Sequence, residues 1–259
     1  MNKRDYPLFE KISIECNSYC NRFCSFCTRT YDNREKVRMP TETIHKILNE
    51  LSEADFQGLI SFHFYNEVFT DKRIFGLLKK SQDLGLKNYI VTNGDFLTVE
   101  NVKKLSHYNI KEFTLSLYDS KDREDFEKRS KEYIAKYKLN QYGWELIILN
   151  GGENFTNRAG YVKHKEEKYK LPVKAACSKI VKKVDVRYDG EVVMCCLDYY
   201  GLHTIGNIKD ENIIDIWYGD KKRKQLNDLA EGKREKYKLC SGCSDYMVEI
   251  ENDGRIKIT

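Results

Sequence analysis

Three closely spaced cysteines near the N-terminus constrain this chain more than any other feature. Cys20, Cys24 and Cys27 follow a predicted strand at C-x3-C-x2-C spacing. A structural zinc site or an ordinary iron–sulfur cluster takes four protein ligands. A [4Fe–4S] cluster held by three cysteines leaves one iron open, and an open iron can bind a substrate or cofactor. The alternative is a zinc site that Cys16 completes as the fourth ligand.

The composition indicates a globular protein of the reducing cytoplasm. The chain has 259 residues, nine cysteines and 41% hydrophobic residues. No apolar run approaches the ~20 residues of a membrane span, and the N-terminus shows no signal-peptide core. Cysteines in a reducing compartment are more often metal ligands than partners in disulfides. We therefore expect a cytoplasmic protein without membrane or nucleic-acid partners, and we interpret the basic run at 221–224 as a solvated helix face.

Alternating strands and helices in the first half predict an α/β fold. The strands are predicted at residues 11–16, 59–65, 88–92, 112–117 and 144–149. A helix is predicted to begin at residues 39–42, and others cover 71–84, 98–105 and 121–137. Short connections between alternating elements favour a parallel sheet. Because the chain is too short for eight such units, we expect a partial β/α barrel that is open on one side.

Polar residues of equal parity recur along the predicted strands. They predict a barrel interior that faces a ligand rather than a packed core. The second strand carries them at Ser61, His63 and Tyr65, and the fourth at Thr114 and Ser116. Ligands of such sheets lie at the carboxyl ends of the strands. The cysteine loop, Glu67, Asn93 and Asn150 all fall at that end.

The pattern changes after residue 150, and we place a domain boundary near residue 155. Residues 1–155 form the predicted barrel and residues 156–259 a smaller second domain. A β-hairpin is predicted at 183–189 and 191–195 around Asp189-Gly190, with helices at about 211–217 and 220–231.

A second metal site is predicted in the smaller domain, where four further cysteines can converge. The hairpin and a C-x2-C pair bring together Cys177, Cys195, Cys240 and Cys243. Four thiolates suit either zinc or a [4Fe–4S] cluster. The thiols alone favour zinc slightly, but the N-terminal triad implies iron–sulfur assembly and makes a second cluster the better interpretation.

Several stretches along nearly the whole chain resemble the radical S-adenosylmethionine (SAM) superfamily. The resemblance is to members with a twitch domain, a shortened SPASM domain that carries one auxiliary [4Fe–4S] cluster. An aromatic residue, Phe26, also stands before the third cysteine, as that family favours. The matching stretches are NSYCNRFC at 17–24, ISFHFYNE at 60–67, TNGDFLT at 92–98, NRAG at 157–160, GNI at 206–208 and IW at 216–217.

The resemblance implies SAM and two [4Fe–4S] clusters as cofactors. SAM would chelate the open iron through its amino and carboxylate groups. An electron donor such as flavodoxin or ferredoxin would reduce the SAM-binding cluster. The residues implied in SAM binding are Phe26, Tyr65, Glu67, Thr92 and Asn93.

The resemblance also implies a reaction. A 5′-deoxyadenosyl radical would remove hydrogen from a C–H bond of a hydroxylated small molecule, such as an aminocyclitol of antibiotic biosynthesis. Loss of a proton and of an electron to the auxiliary cluster would then give a ketone. The family's Asn-Arg-x-Gly arginine is Arg158, and we expect it to hydrogen-bond the hydroxyl, because arginine is a poor base.

Some positions depart from the family's pattern. The SAM-binding segment reads Asn66-Glu67-Val68 where the family usually has Gly-Glu-Pro. Other positions expected to face the substrate are Ser13, Glu15, His63, Tyr65, Val91 and Leu197. Cys196 leaves an epimerase open as an alternative, because a thiol can return a hydrogen atom to a carbon radical. A non-catalytic zinc or iron–sulfur protein is the other alternative.

Overall fold

A computed structural model describes residues 6–32, 34–150, 157–162, 171–244, 249–250 and 256–257. The strands of the main sheet are β1 (Lys11–Ile14), β2 (Leu59–Ser61), β3 (Lys87–Thr92), β4 (Ile110–Leu117), β5 (Glu145–Asn150), β6 (Lys183–Val186), β7 (Glu191–Val193) and β8 (Thr204–Asn207). Glu249–Ile250 and Ile256–Lys257 form a separate antiparallel pair. The helices are α1 (Thr41–Glu53), α2 (Ile74–Asp83), α3 (Val99–Leu105), α4 (Arg123–Tyr137), α5 (Ile213–Tyr218), α6 (Asp220–Ala230) and α7 (Lys238–Ser241).

The main sheet is open and largely parallel, as predicted. Its strand order is β5-β4-β3-β2-β1-β6-β7-β8. Strands β1 to β6 pair with one another in parallel, whereas the β6–β7 and β7–β8 pairs are antiparallel. The sequence did not predict that β6, the first strand of the hairpin, would pair with β1 in parallel. The predicted boundary near residue 155 lies outside the described residues.

The sheet has an apolar face and a polar face. Ile12, Ile60 and Phe113 belong to the main hydrophobic core, which the helices cover. The opposite face carries Ser13, which is in register with Ser61 and Asp185 on the two neighbouring strands. None of the described helices is both apolar enough and long enough to cross a bilayer.

Strand β2 ends at Ser61, four residues before the predicted end at residue 65. The side chain of Asn66 bonds the backbone that would have continued the strand. Its oxygen accepts from the Phe64 N–H at 2.9 Å, and its amide donates to the Phe62 carbonyl at 3.2 Å. Such local side-chain bonds compete with strand pairing. The polar run after Ser61 is therefore a bend at the carboxyl edge of the sheet.

Candidate active site

The loop with the first three cysteines follows β1 and is tied to the end of β3. The Arg22 Nε donates to Asp95 Oδ2 at 2.7 Å, and the Asn21 amide donates to the same oxygen at 2.6 Å. Burial, followed by the nearby Cys27 and Cys20 thiols, raises the pKa of Cys24 to about 11. The Cys20 and Cys27 thiols are therefore within electrostatic reach of Cys24, and a bound cation among the three would favour their thiolate forms.

Cys16 lies apart from this triad. Its side chain is fully buried in the main core. The thiol donates to the Phe62 carbonyl at 3.2 Å, and the sulfur accepts from the Asn66 amide at 3.4 Å. Zinc would require sulfur atoms about 2.3 Å from one ion. These contacts hold the Cys16 sulfur in the core, and they give no support to a zinc site with Cys16 as its fourth ligand.

Glu67 lies beside the triad, with a buried carboxylate bonded to the end of β3. Its Oε1 accepts from the Thr92 hydroxyl at 2.7 Å, and its Oε2 accepts from the Asn93 N–H at 2.8 Å. Burial raises its pKa, against the lowering effect of these bonds. Because a carboxylate oxygen accepts two hydrogen bonds, Oε2 can take one further donor such as an ammonium. The Asn93 amide also lies 3.8 Å from the Cys20 sulfur.

Arg158 stands on a tight turn next to the triad. Arg158, Ala159 and Gly160 have φ angles of 48°, 58° and 88°, so three successive residues are left-handed. The guanidinium carbon lies 5.8 Å from the centroid of the Phe26 ring. Burial raises the pKa of Cys27, and the Arg158 charge partly offsets that rise. Arg158 is therefore within electrostatic reach of the third cysteine of the triad.

The four later cysteines converge on one cavity. The apolar part of its wall is built by residues that include Ala159, Leu197 and Leu229, and Lys179 and Arg234 supply positive charge. The cysteines that line it are Cys177, Cys195, Cys240 and Cys243. Burial, followed by the Cys177 and Cys243 thiols, raises the pKa of Cys240 to about 12. Four thiols with two cations in an otherwise apolar wall are a donor set that fits an iron–sulfur cluster.

Ala159 connects the two cysteine sites. It lines the four-cysteine cavity, and the preceding residue, Arg158, reaches the triad. The turn is fastened by the Asn157 N–H, which donates to Ser244 Oγ at 3.1 Å. The Ser244 N–H donates back to Asn157 Oδ1 at 3.0 Å. A short turn therefore separates the two predicted metal sites.

Cys196 follows a cysteine of the four-cysteine cavity and is also near the polar face of the sheet. Cys195 lines the four-cysteine cavity. A hydrogen bond from Cys195 lowers the pKa of Cys196 to about 7 against the effect of burial, and the charges of Asp185 and Lys183 also act on it. The Cys196 thiol is thus close to charged groups of the sheet's polar face. The Tyr65 hydroxyl donates to the Cys196 carbonyl at 3.0 Å, so the bend after β2 contacts this segment.

The polar face of the sheet contains residues that the sequence analysis missed. Lys183 and Asp185 form an ion pair at 2.9 Å, and the Tyr89 hydroxyl bonds Ser13 at 2.9 Å. His63 bonds Ser61, and burial, followed by the Lys183 and Lys11 charges, lowers the pKa of His63 well below its usual range. Strand parity could have indicated that Tyr89 faces the substrate, because Tyr89 has the same parity on β3 as Val91.

The remaining predicted substrate residues fall in different surroundings. Val91 is half-buried on β3, at the same parity as Tyr89. Glu15 is ion-paired with Arg34 at 2.8 Å and is fully buried. Leu197 belongs to the wall of the four-cysteine cavity rather than to the polar face of the sheet.

Comparisons with known proteins agree with this geometry. The Radical SAM superfamily model matches residues 14–133, and the SPASM model, an iron–sulfur cluster-binding domain, matches residues 177–244. The S-adenosyl-L-methionine-dependent 2-deoxy-scyllo-inosamine dehydrogenase of Niallia circulans is 29% identical over 256 residues, which cover 94% of this chain and 96% of that protein.

Solved structures show the same fold. BtrN in complex with AdoMet and 2-DOIA superposes with a TM-score of 0.79 at 27% identity, covering 93% of this chain and 94% of that one. Streptococcus suis SuiB bound to precursor peptide SuiA has a TM-score of 0.62 at 18% identity, covering 93% and 72%, and shares the fold alone.

The two domains define the cofactors. A radical SAM domain uses SAM with a [4Fe–4S] cluster, and a SPASM domain binds an auxiliary iron–sulfur cluster. The convergent triad and the four-cysteine cavity lie inside the two matched regions. The chain therefore contains a radical SAM domain in its first half and a SPASM-type domain in its second half.

Proposed function

We propose that this protein is a radical SAM dehydrogenase that oxidises a secondary alcohol of a hydroxylated small molecule, such as an aminocyclitol, to a ketone. The observation that carries the proposal is the turn at Arg158-Ala159. Ala159 lines the four-cysteine cavity, and the Arg158 charge acts on Cys27 of the triad. Similarity to an aminocyclitol dehydrogenase over 94% of the chain supports the same reaction type.

Each cofactor has a set of side chains suited to hold it. Cys20, Cys24 and Cys27 would bind the first cluster, and the four cavity cysteines would bind the auxiliary one. Glu67 Oε2 would accept the SAM ammonium, since its partner Asn93 leaves a lone pair available. Phe26, Tyr65, Thr92 and Asn93 would complete the SAM site. Together, SAM and the reduced first cluster supply the radical that removes a hydrogen atom from the substrate.

Arg158 would orient the reacting hydroxyl. Its guanidinium is always charged and donates hydrogen bonds, so it suits an oxygen that gains negative character as the O–H proton leaves. Phe26 lies below the guanidinium at 5.8 Å and helps to hold its plane. The hydroxyls of Ser13 and Ser61, and Lys183 with Asp185, face the same polar interior and would bind the other hydroxyl groups.

The auxiliary site is suited to accept the second electron. Its four cysteines would leave no open iron, so it would not bind substrate directly. Ala159 lies in its wall and is covalently joined to Arg158, which would contact the substrate. This short separation favours removal of the electron as the proton departs.

Cys196 supports an epimerase as the second candidate function. Its neighbour Cys195 lines the auxiliary cavity, whereas Asp185 and Lys183 of the polar face lie within electrostatic reach of Cys196 itself. A thiol in this position could donate a hydrogen atom to the opposite face of a substrate radical. That reaction would invert a carbon centre without net oxidation.

We further propose that an electron carrier such as flavodoxin or ferredoxin reduces the first cluster. We also propose a cytoplasmic location, because a reducing compartment keeps the cysteines available as cluster ligands.

Mass spectrometry of reaction products separates these functions. The anaerobically purified protein would be incubated with SAM, dithionite and a panel of aminocyclitols and aminosugars. Loss of two hydrogens supports the dehydrogenase. Solvent deuterium incorporated without that loss, and abolished by Cys196→Ala, supports the epimerase. A colourless protein with zinc and no iron would overturn both.

A further inference from the structure

One lysine of the basic run at 221–224 does not lie on a solvated helix face, contrary to the expectation from the sequence. Lys222 belongs to α6 and is only 1% exposed, whereas its neighbour Lys221 is exposed. Lys222 shares a helix face with the buried residues Gln225 and Leu229, which follow it at helical spacing. Lysines are almost never fully buried unless a negative charge compensates them. The surroundings of this ammonium should therefore include such a charge.

Among the described residues, the contacts of the Lys222 ammonium are with uncharged groups. Its Nζ donates to the Ile180 carbonyl at 2.6 Å and lies 4.3 Å from the centroid of the Trp217 ring. The charge of Asp185 also acts on Lys222, but the Asp185 carboxylate is ion-paired with Lys183 at 2.9 Å. One carbonyl and one aromatic face stabilise a cation without neutralising it.

The ammonium is hydrogen-bonded to the wall of the four-cysteine cavity. Ile180, which accepts its hydrogen bond, lines that cavity together with Cys177 and Cys195. Burial lowers the pKa of Lys222 to about 7, and the charges of Cys195, Asp185 and Cys177 oppose that fall. Lys222 is therefore within electrostatic reach of two of the four cysteines that would hold the auxiliary cluster.

We propose that the buried Lys222 ammonium raises the reduction potential of the auxiliary cluster and so makes it a better electron acceptor. This inference rests on the proposed function, in which that cluster takes an electron from the substrate. A [4Fe–4S] core with four thiolates carries a net negative charge, which grows on reduction. A buried positive charge nearby therefore stabilises the reduced form more than the oxidised form. The cluster in turn supplies the negative charge that compensates the buried lysine.

The test measures the reduction potentials of both clusters in the anaerobic, cluster-loaded enzyme. Electron paramagnetic resonance follows the clusters through a redox titration, and the signal that changes when SAM is added identifies the first cluster. Lys222→Met removes the charge and keeps an unbranched side chain of similar length. Lys222→Gln also removes the charge but keeps a donor for the Ile180 carbonyl. Lys221→Met is the matched control, since Lys221 is exposed on the same helix.

We expect the potential of the auxiliary cluster to fall in both Lys222 variants. The equilibrium constant for its reduction should drop roughly tenfold, which is about 59 mV for a one-electron couple. The iron content and the potential of the first cluster should match those of the parent. Lys221→Met should leave both potentials unchanged, because water and salt screen an exposed charge. If Lys222→Met loses iron through a disturbed cavity, Lys222→Gln decides the test.

A parental auxiliary potential in Lys222→Gln, or an equal fall in Lys221→Met, would overturn the proposal. A fall in Lys222→Met alone would also overturn it, because the lost hydrogen bond and not the lost charge would then be the cause. A parent enzyme that cleaves SAM but forms no ketone from the substrate panel would instead refute the proposed function, and the comparison of potentials would still stand by itself.

Discussion

The side-chain amide of Asn157 donates a hydrogen bond to the Gly242 carbonyl at 2.8 Å. Gly242 stands between two auxiliary-site cysteines, and Asn157 immediately precedes Arg158. The placement of Arg158 is therefore tied to the loop that would carry the auxiliary cluster. Asn157 acts as a positioning residue in this arrangement.

Replacing Asn157 with Ala should lower substrate oxidation without preventing SAM cleavage. The change removes the bond to the Gly242 carbonyl and the bond from the Ser244 N–H, and each backbone group left without its partner costs about 1–3 kcal/mol. We expect the ratio of ketone to 5′-deoxyadenosine to fall by about tenfold, with the iron content unchanged. Both products can be quantified by mass spectrometry in one reaction.

The control for this prediction is Asn101→Ala. The Asn101 amide also donates to a backbone carbonyl, that of Phe96 at 3.2 Å, but it lies on α3. This variant should keep the parental product ratio. Equal ratios in Asn157→Ala and the parent would contradict the positioning role.

Gly160→Ala should destabilise the protein because of the backbone conformation and the neighbouring loop. Gly160 has a φ of 88°, and an added Cβ would lie 3.3 Å from the Gly242 carbonyl oxygen. A side chain in the left-handed region costs roughly 1–2 kcal/mol. Thermal unfolding of the anaerobic holoprotein should therefore show a lower midpoint.

Gly76→Ala is the matched control, and it should raise the unfolding midpoint rather than lower it. An added Cβ meets nothing within 4 Å at this position in α2. Replacing a helix-interior glycine gains roughly 0.5–1 kcal/mol. A fall in the midpoint as large as that of Gly160→Ala would show that the turn carries no special constraint.

Stability should fall with acidification because of His63. Burial, then the Lys183 and Lys11 charges, lowers its pKa well below the usual value. Below a pH of about 6.5 the unfolded chain binds a proton that the folded state excludes, which removes up to about 1.36 kcal/mol per pH unit. Above that pH His63 is neutral in both states, so it does not make the free energy of unfolding depend on pH.

His63→Gln should flatten this dependence. The difference in unfolding midpoint between variant and parent would be followed from pH 5 to 7.5. Exposed His107 provides the control variant His107→Gln, which should keep the parental slope. A parental slope in His63→Gln would mean that His63 does not contribute to the pH dependence.

The sequence predicted the features that depend on local pattern. The triad of cysteines needs only its spacing, and the strand–helix alternation needs only periodicity, so the parallel sheet was confirmed. The pairing of β6 with β1 could not be predicted in this way, because it joins residues more than 170 positions apart, such as Lys11 and Lys183. The ion pair of Lys183 with Asp185 is local in the sequence, but its place on the polar face depends on that long-range pairing.

The predicted end of β2 was wrong for a different reason. The alternation of Ser61, His63 and Tyr65 is typical of a strand, but the bonds made by the Asn66 side chain end it early. A single amide can therefore outweigh a favourable periodicity over a few residues.

The most direct test of the account follows one hydrogen atom. A substrate found active in the panel would be prepared with deuterium at the carbon bearing the reacting hydroxyl, and incubated anaerobically with the enzyme, SAM and dithionite. We predict one ketone for each 5′-deoxyadenosine, with the deuterium recovered in the 5′-deoxyadenosine. A ketone formed without 5′-deoxyadenosine, or 5′-deoxyadenosine free of deuterium, would contradict hydrogen abstraction by this protein.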